Sequence, residues 1–430
     1  MFVRIDNTPR DYAWGSATAI ARLRGLAPSG RPEAELWLGA HPASPARIEG
    51  GSPAVDLAAW IAADPVTALG AGVVAADQSA GRPPHLPFLL KVLAAAAPLS
   101  LQAHPSSEQA AEGFAREEAA GVPVDAPHRN YRDPFHKPEM IYALSESFEA
   151  LCGFRARAAT ATDLARLVDS AAAAGAPATA VAAFAERIAS APDDGSALHD
   201  AVTWLLSGGD DVEALVHETV RAARLVLAEA GAEDFEEARA LDPALLPFQS
   251  VVALHEAYPG DPGIPLSLLL NRVRLGRGQA LFLPAGNIHM YLSGLGVEVM
   301  AASDNVLRGG FTPKHIDVPE LERVLDFTPL PAPLLEAGEL APGVEVFRPD
   351  VPDFALVHAV VGGKAPAAGL RLTAPAIVLV TDGSIELAGA RGGIALARGQ
   401  AAYVTPEERE LRFGGEGELF IATTGAAFAE

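Results

Sequence analysis

Residues Arg277–Pro284 read RGQALFLP, and residues Arg398–Thr405 read RGQAAYVT. Each is a Gly-bearing turn feeding an apolar strand, and an internal echo of this kind predicts two related β barrels. The copies diverge downstream. The first runs on into AGNIHMYL (285–292) and the second into PEERELRF (406–413), so that Glu410 stands where His289 stands. The second copy therefore reads as structural and without metal, and chemistry is sought around the first.

Outward from the echo, the chain has three textures. Residues 1–153 are rich in proline, glycine and short apolar runs, as in a sheet with irregular connections. From about 155 to 249 the spacing is helical, in ATDLARLVDSAAAAG (161–175), TAVAAFAERIAS (179–190), DVEALVHETVRAARLVLAEAG (211–231) and FEEARALD (235–242). Strand-like runs return from about 265, and Asp382-Gly383 reads as a hairpin turn. The expected fold is mainly β with an α-helical insertion. Residues 1–153 with 250–319 form a catalytic domain, 154–249 the insertion and 320–430 a C-terminal domain.

A chain of 430 residues has ample surface to bury. The start, MFVRIDNTPRDYAWG, lacks a basic-then-apolar leader pattern, and Lys91 and several prolines break the best apolar run, so a cytoplasmic protein with no membrane partner is expected. A single cysteine, Cys152, excludes an intramolecular disulfide framework and a cysteine-based zinc site. The net charge of −22 argues against nucleic acid. An anionic substrate would need a local cationic pocket. Only four of the 32 basic residues are lysine, at 91, 137, 314 and 364, so each retained lysine marks a place where a compact ammonium serves better than a guanidinium.

The apolar run LPFLLKVLAAAA (86–97) leads into PLSLQAHPS (98–106). In a strand, Ser100, Gln102 and His104 point one way, while Leu99, Leu101 and Ala103 point the other. A polar row of this kind needs a partner in front of it. Two imidazoles, a carboxylate and an amide oxygen, from His104, His289, Glu139 and Gln102, would make a site for Zn²⁺. His136 and His41 read as structural neighbours. His199, His217, His255 and His358 fall outside the motif blocks and read as surface or helix residues.

The segments YAWGS (12–16), EAELWLGAHPAS (33–44), PFLLKVL (87–93), LSLQAHP (99–105), FHKPEM (135–140), LCGFR (151–155) and the block Leu281–Val318 resemble, in order, the class I phosphomannose isomerases. The resemblance implies a metal-bearing cupin barrel, an inserted helical domain and a second, metal-free cupin-like domain. It implies interconversion of mannose 6-phosphate and fructose 6-phosphate through an enediolate, with one zinc on Gln102, His104, Glu139 and His289. Arg308 matches the active-site arginine, and Ser100, Lys137, Tyr291, Glu298 and Lys314 match residues lining the substrate pocket. Glu298, Lys137 or a metal-bound water could serve as base. The chain is expected to act as a monomer on a phosphosugar. Two departures border the site: Ser106-Ser107 replace the family's usual Asp-Lys, and Phe135 replaces Asn. They leave open an isomerase of the same fold acting on another phosphosugar or a free sugar. A non-catalytic sugar-binding cupin would be expected to lose Arg308 or a ligand, and none is lost.

Overall fold

The structure, a computed structural model, describes residues 1–50, 56–232, 242–362 and 368–428. Its spine is the 13-residue strand His289–Ala301, which changes neighbours halfway along. Its first half pairs with Phe148–Phe154 and, at His289, with Leu101–Ala103. Its second half pairs with Phe88–Ala95 on one side and Glu139–Ala143 on the other. A bulge between Tyr291 and Ser293 marks the change, and bulges bend the strand that carries them. Gly294 follows with φ 130°, and a Cβ there would stand 2.6 Å from the Phe148 ring. The strand can therefore turn here only as glycine. Leu307–Gly310, Glu35–Leu38, Leu270–Leu275 and Ala280–Leu283 complete most of this antiparallel sheet.

A second antiparallel sheet is built from the C-terminal strands, with Ala376–Ala388 and Glu410–Thr423 at its centre. It also takes in the first strand of the chain: Phe2–Ile5 pairs with Ala401–Val404. The two sheets share one apolar core, in which Leu38, Leu90, Met140 and Val299 of the first meet Ile377, Tyr403 and Phe420 of the second. A polar contact joins them at the edge of this core. Arg277 reaches both carboxylate oxygens of Glu418 at 2.8 Å, and Glu418 also meets His358 Nε2 at 3.1 Å and Thr381 Oγ1 at 2.6 Å.

The echoed octapeptides adopt one local design. In each, a left-handed glycine, Gly278 (φ 93°) or Gly399 (φ 79°), precedes the strand Ala280–Leu283 or Ala401–Val404. In each, the glutamine side chain closes the turn, Gln279 Oε1 accepting from Gly276 N at 2.8 Å and Gln400 Oε1 from Ala397 N at 2.9 Å.

Three expectations need correction. The chain is mixed rather than mainly β, with 34% helix against 30% strand. Beyond the helical block, short helices such as Leu57–Ala63, Ala71–Ser79 and Ser107–Ala119 fill the connections of the first 153 residues. Asp382-Gly383 is not a hairpin turn but runs on inside the strand Ala376–Ala388, paired with Glu418 and Gly417 just after a bulge at Thr381, with Gly383 at φ 72° against the Glu416 carbonyl; the hairpin closes at Gly389–Gly392. His358 lies on a strand and is buried, stacked on Phe420 at 4.9 Å.

The helical texture continues past residue 249, because the helix Leu246–Ala257 crosses it and the next strand begins at Leu270. Helices Arg157–Ala173, Thr179–Ser190, Asp194–Ser207 and Asp210–Glu229 pack with it around Leu164, Phe184, Leu215 and Phe248. All but the last residue of FEEARALD (235–242) lies outside the described residues, as does Lys364.

Candidate metal centre and substrate pocket

Of the stretch PLSLQAHPS, Leu101–Ala103 form a strand, with Ser100 and His104 flanking it. Leu99, Leu101 and Ala103 are buried in the core, while Gln102 and His104 turn to the opposite face. Gln102 Nε2 donates to Ser100 Oγ at 3.0 Å, which leaves the amide oxygen as its unengaged end. The neighbouring strands then fix what that oxygen meets, for Gln102 is the register partner of His289 on one side and of Arg308 on the other. Directly opposed residues of antiparallel strands send their side chains to the same face.

His104 and His289 are held alike. The Nδ1 of each lies against a backbone carbonyl, Asn305 O at 2.7 Å and Asn287 O at 3.0 Å, so the proton sits on Nδ1 and the Nε2 lone pair is free. Both Nε2 atoms lie 3.4 Å from the same oxygen, Glu139 Oε2. Potential ligand atoms of the three residues all lie within 4.8 Å of one another. His104 Nε2 is buried with no hydrogen-bond partner, a cost that a bound cation would relieve. Burial, with the Lys137 ammonium adding, pushes the His104 imidazole down to about 4, so it is neutral as a ligand must be. Glu139 is buried too, yet Lys137 at 3.1 Å from its Oε1, with His104, holds its carboxyl well below the usual range. Two imidazoles, a carboxylate and an amide oxygen fit a borderline divalent ion.

Along the second half of the spine strand lies a buried charged network. Lys91, opposite Glu298 in register, reaches Glu298 Oε2 at 3.0 Å and Glu35 Oε1 at 3.4 Å, and its ammonium sits 5.1 Å from the centre of the Trp37 ring. Tyr291 donates to Glu298 Oε1 at 2.9 Å. Burial opposes charge on Lys91, but Glu298 and Glu35 raise its pKa; Glu298 itself is pushed up by burial, against the pull of Lys91, with Glu139 and Glu35 adding. Tyr291 and Glu298 are thus brought together as each other's partners, 4% and 2% exposed.

On the other flank the charge is cationic and unpaired. Arg308, Lys314 and Arg132 have no ion-pair partner among the described residues, and burial together with mutual repulsion lowers the pKa of both Arg308 and Lys314. In a chain of net charge −22, three cations near enough to shift one another, with no ion-pair partner among the described residues, run against the general charge.

Sequence reasoning missed Arg132 and Asn305, and it marked Lys91 as a retained lysine without giving it a partner. Asn305 is fully buried and ties the segment before Lys137: its Nδ2 donates to Asp133 O at 2.7 Å and Phe135 O at 2.8 Å, and its Oδ1 accepts from Arg132 N at 2.7 Å. A buried Asn inside a motif block was the signal available. His136 is turned away from the ligands toward Asp353 at 2.8 Å, and His41 is buried with Nε2 3.5 Å from Asp304.

The two departures have structural occupations. Ser106 caps the helix Ser107–Ala119 in a reciprocal box with Gln109. Phe135 stacks on His85 at 5.0 Å with Arg82 over its ring.

Comparison with known proteins places these features in a lineage. Residues 2–157 match the family description "Phosphomannose isomerase type I, catalytic domain". The mannose-6-phosphate isomerase of Escherichia coli K12 is 36% identical over 419 residues, covering 97% of this chain and 98% of its own. The human mannose-6-phosphate isomerase is 33% identical, covering 87% and 86%. A zinc-bound mannose 6-phosphate isomerase crystal structure superposes with a TM-score of 0.81 at 34% identity, over 98% of this chain and 99% of that one. A phosphomannose isomerase variant from Salmonella typhimurium gives 0.83 at 33% identity, over 98% and 99%.

Proposed function

The chain belongs to the type I phosphomannose isomerases, and on that premise we propose that it interconverts mannose 6-phosphate and fructose 6-phosphate at the pocket described above. One observation carries the reading. Two imidazole Nε2 atoms converge on a single Glu139 oxygen, one register step from an unpaired arginine.

One zinc ion would be held by Gln102, His104, Glu139 and His289. When bound, it supplies Lewis-acid polarisation of a substrate oxygen. The remaining work falls to side chains. Arg308 places its guanidinium where negative oxygen develops as the enediolate forms, a charge absent from the ground state. Lys314, with Arg132 and the Ser100 hydroxyl, holds the phosphate through charge-assisted hydrogen bonds. Lys137 keeps Glu139 ionised. Tyr291 and Glu298, fixed by Lys91, form the buried wall that orients the sugar. The proton moving between C2 and C1 passes through a group beside the ligands, where Lys137 and Glu298 both stand. Comparing Lys137→Gln with Glu298→Gln in solvent-exchange of the C2 proton separates them.

The two sheets are proposed as cupin-like units, with the helical insertion between parts of the metal-bearing one and no metal in the C-terminal one; the shared glutamine-closed turn supports this. A coupled assay with mannose 6-phosphate tests the function. Turnover should vanish with a chelator and return with added Zn²⁺. Full turnover in metal-free protein, or none on this substrate with zinc present, overturns the reading.

A further inference from the structure

A second cationic pocket lies on the helical block, built from residues the metal centre does not use. On the helix Asp210–Glu229, His217, Arg221 and Arg224 follow one another at i, i+4 and i+7, which places them on one face. His255, from the helix Leu246–Ala257, joins them around a cavity of about 400 Å³. Among the described residues no carboxylate lines this cavity; its other walls are apolar, among them Val220 and Leu225. In a chain with 54 acidic residues against 32 basic ones, four basic or imidazole groups without an acid run against the general surface.

The state of each group favours an incoming anion. Arg224 has neither an ion-pair nor a hydrogen-bond partner among the described residues. Arg221 is tethered through one Nη atom to the Pro177 carbonyl, which steadies the guanidinium while leaving its other N–H groups available. His255 Nδ1 is buried without a partner. A buried lone pair is tolerated better than a buried orphan N–H, so the ring proton belongs on Nε2 of the half-buried ring.

We propose that this pocket binds a compact phosphate-bearing anion. Two guanidinium forks match the oxygen geometry of a phosphate, and imidazole N–H groups add donors. The volume suits a small phosphate ester rather than a polymer, lying within the usual range of about 300–1,000 Å³ for small-molecule sites.

Hydrogen exchange on the zinc-loaded protein tests this, with inorganic phosphate and mannose 6-phosphate as separate probes and sodium chloride at equal ionic strength as the reference. Exchange in 217–228 and 250–257 should slow about tenfold at a phosphate concentration about ten times Kd, for openings that release the ligand. The slowing should persist in Lys314→Ala, which weakens the substrate pocket, and disappear in Arg221→Ala/Arg224→Ala, whose isomerase turnover should match the parent. Slowing by mannose 6-phosphate but not by phosphate would assign the pocket to a phosphate ester; slowing by both would assign it to the phosphate group itself. Slowing equalled by chloride, retained in the double variant, or absent with both probes overturns the proposal.

Discussion

Arg308 stands directly opposite Gln102 across the pair of short strands Leu307–Gly310 and Leu101–Ala103. Because Gln102 also faces His289, one amide side chain sits between a candidate ligand imidazole and a guanidinium with no ion-pair partner among the described residues. A slip of one residue would send Arg308 to the core face. Register therefore sets the position of the proposed catalytic cation as firmly as it sets the proposed ligands.

Loss of a ligand should empty the centre. His289→Ala is expected to bind less than a tenth of the parental zinc by metal analysis after dialysis. Asn305→Ala keeps the carbonyl that holds His104 but frees the segment 132–135, and should weaken zinc by roughly 10- to 100-fold, as loss of outer support does. A full equivalent retained by His289→Ala would remove that residue from the ligand set.

Arg308 and Lys314 should separate in kinetics. Arg308→Ala is expected to lower kcat by roughly 10²-fold, the scale for a donor used only in the transition state. Lys314→Ala and Arg132→Ala should chiefly raise KM for mannose 6-phosphate. An Arg308 variant changed in KM alone would refute this division.

Lys91 neutralises a buried carboxylate pair, so Lys91→Met should destabilise the fold by about 3–5 kcal/mol through uncompensated buried charge. Adding Glu298→Gln should recover part of that loss. Urea unfolding of the two single variants and the double closes the cycle, and strict additivity would show that the pair is not coupled.

Glu418 gives the inter-sheet contact a defined pH window. Burial alone would raise its pKa, but His358, Thr381 and Arg277 bring it down to about 2. A folded value below the unfolded one means the carboxylate stabilises the fold above pH ~4.5 and ceases to as the pH falls toward ~2, a difference of at most ~3 kcal/mol. Glu418→Gln should therefore flatten the decline of stability in that window. Equal slopes for parent and variant, in urea midpoints against pH, would refute the assignment.

What the sequence made legible was local or carried by dense motifs. The alternation in SLQAH places a histidine and an amide on one face, and the glycine turns of the echo mark their strands without knowledge of partners. What it hid was set by distant neighbours. Asp382-Gly383 has the residues of a turn, but pairing with Glu418 and Gly417 of the neighbouring strand keeps it inside its own strand. Arg132 gains its meaning only from Arg308 and Lys314, and His358 looked like a surface residue until Tyr142 and Phe420 enclosed it.

The pairing of Phe2–Ile5 with Ala401–Val404 also sets a timetable. On a ribosome the strand Phe2–Ile5 emerges nearly 400 residues before its partner. At roughly 5–20 residues per second, the opening strand waits on the order of tens of seconds with its edge unpaired. Ile5, 2% exposed once the sheet closes, is in the meantime available to other chains. Completion of the second sheet is thus the late, non-local step of folding, and slowing translation lengthens the interval in which a nascent chain depends on chaperones.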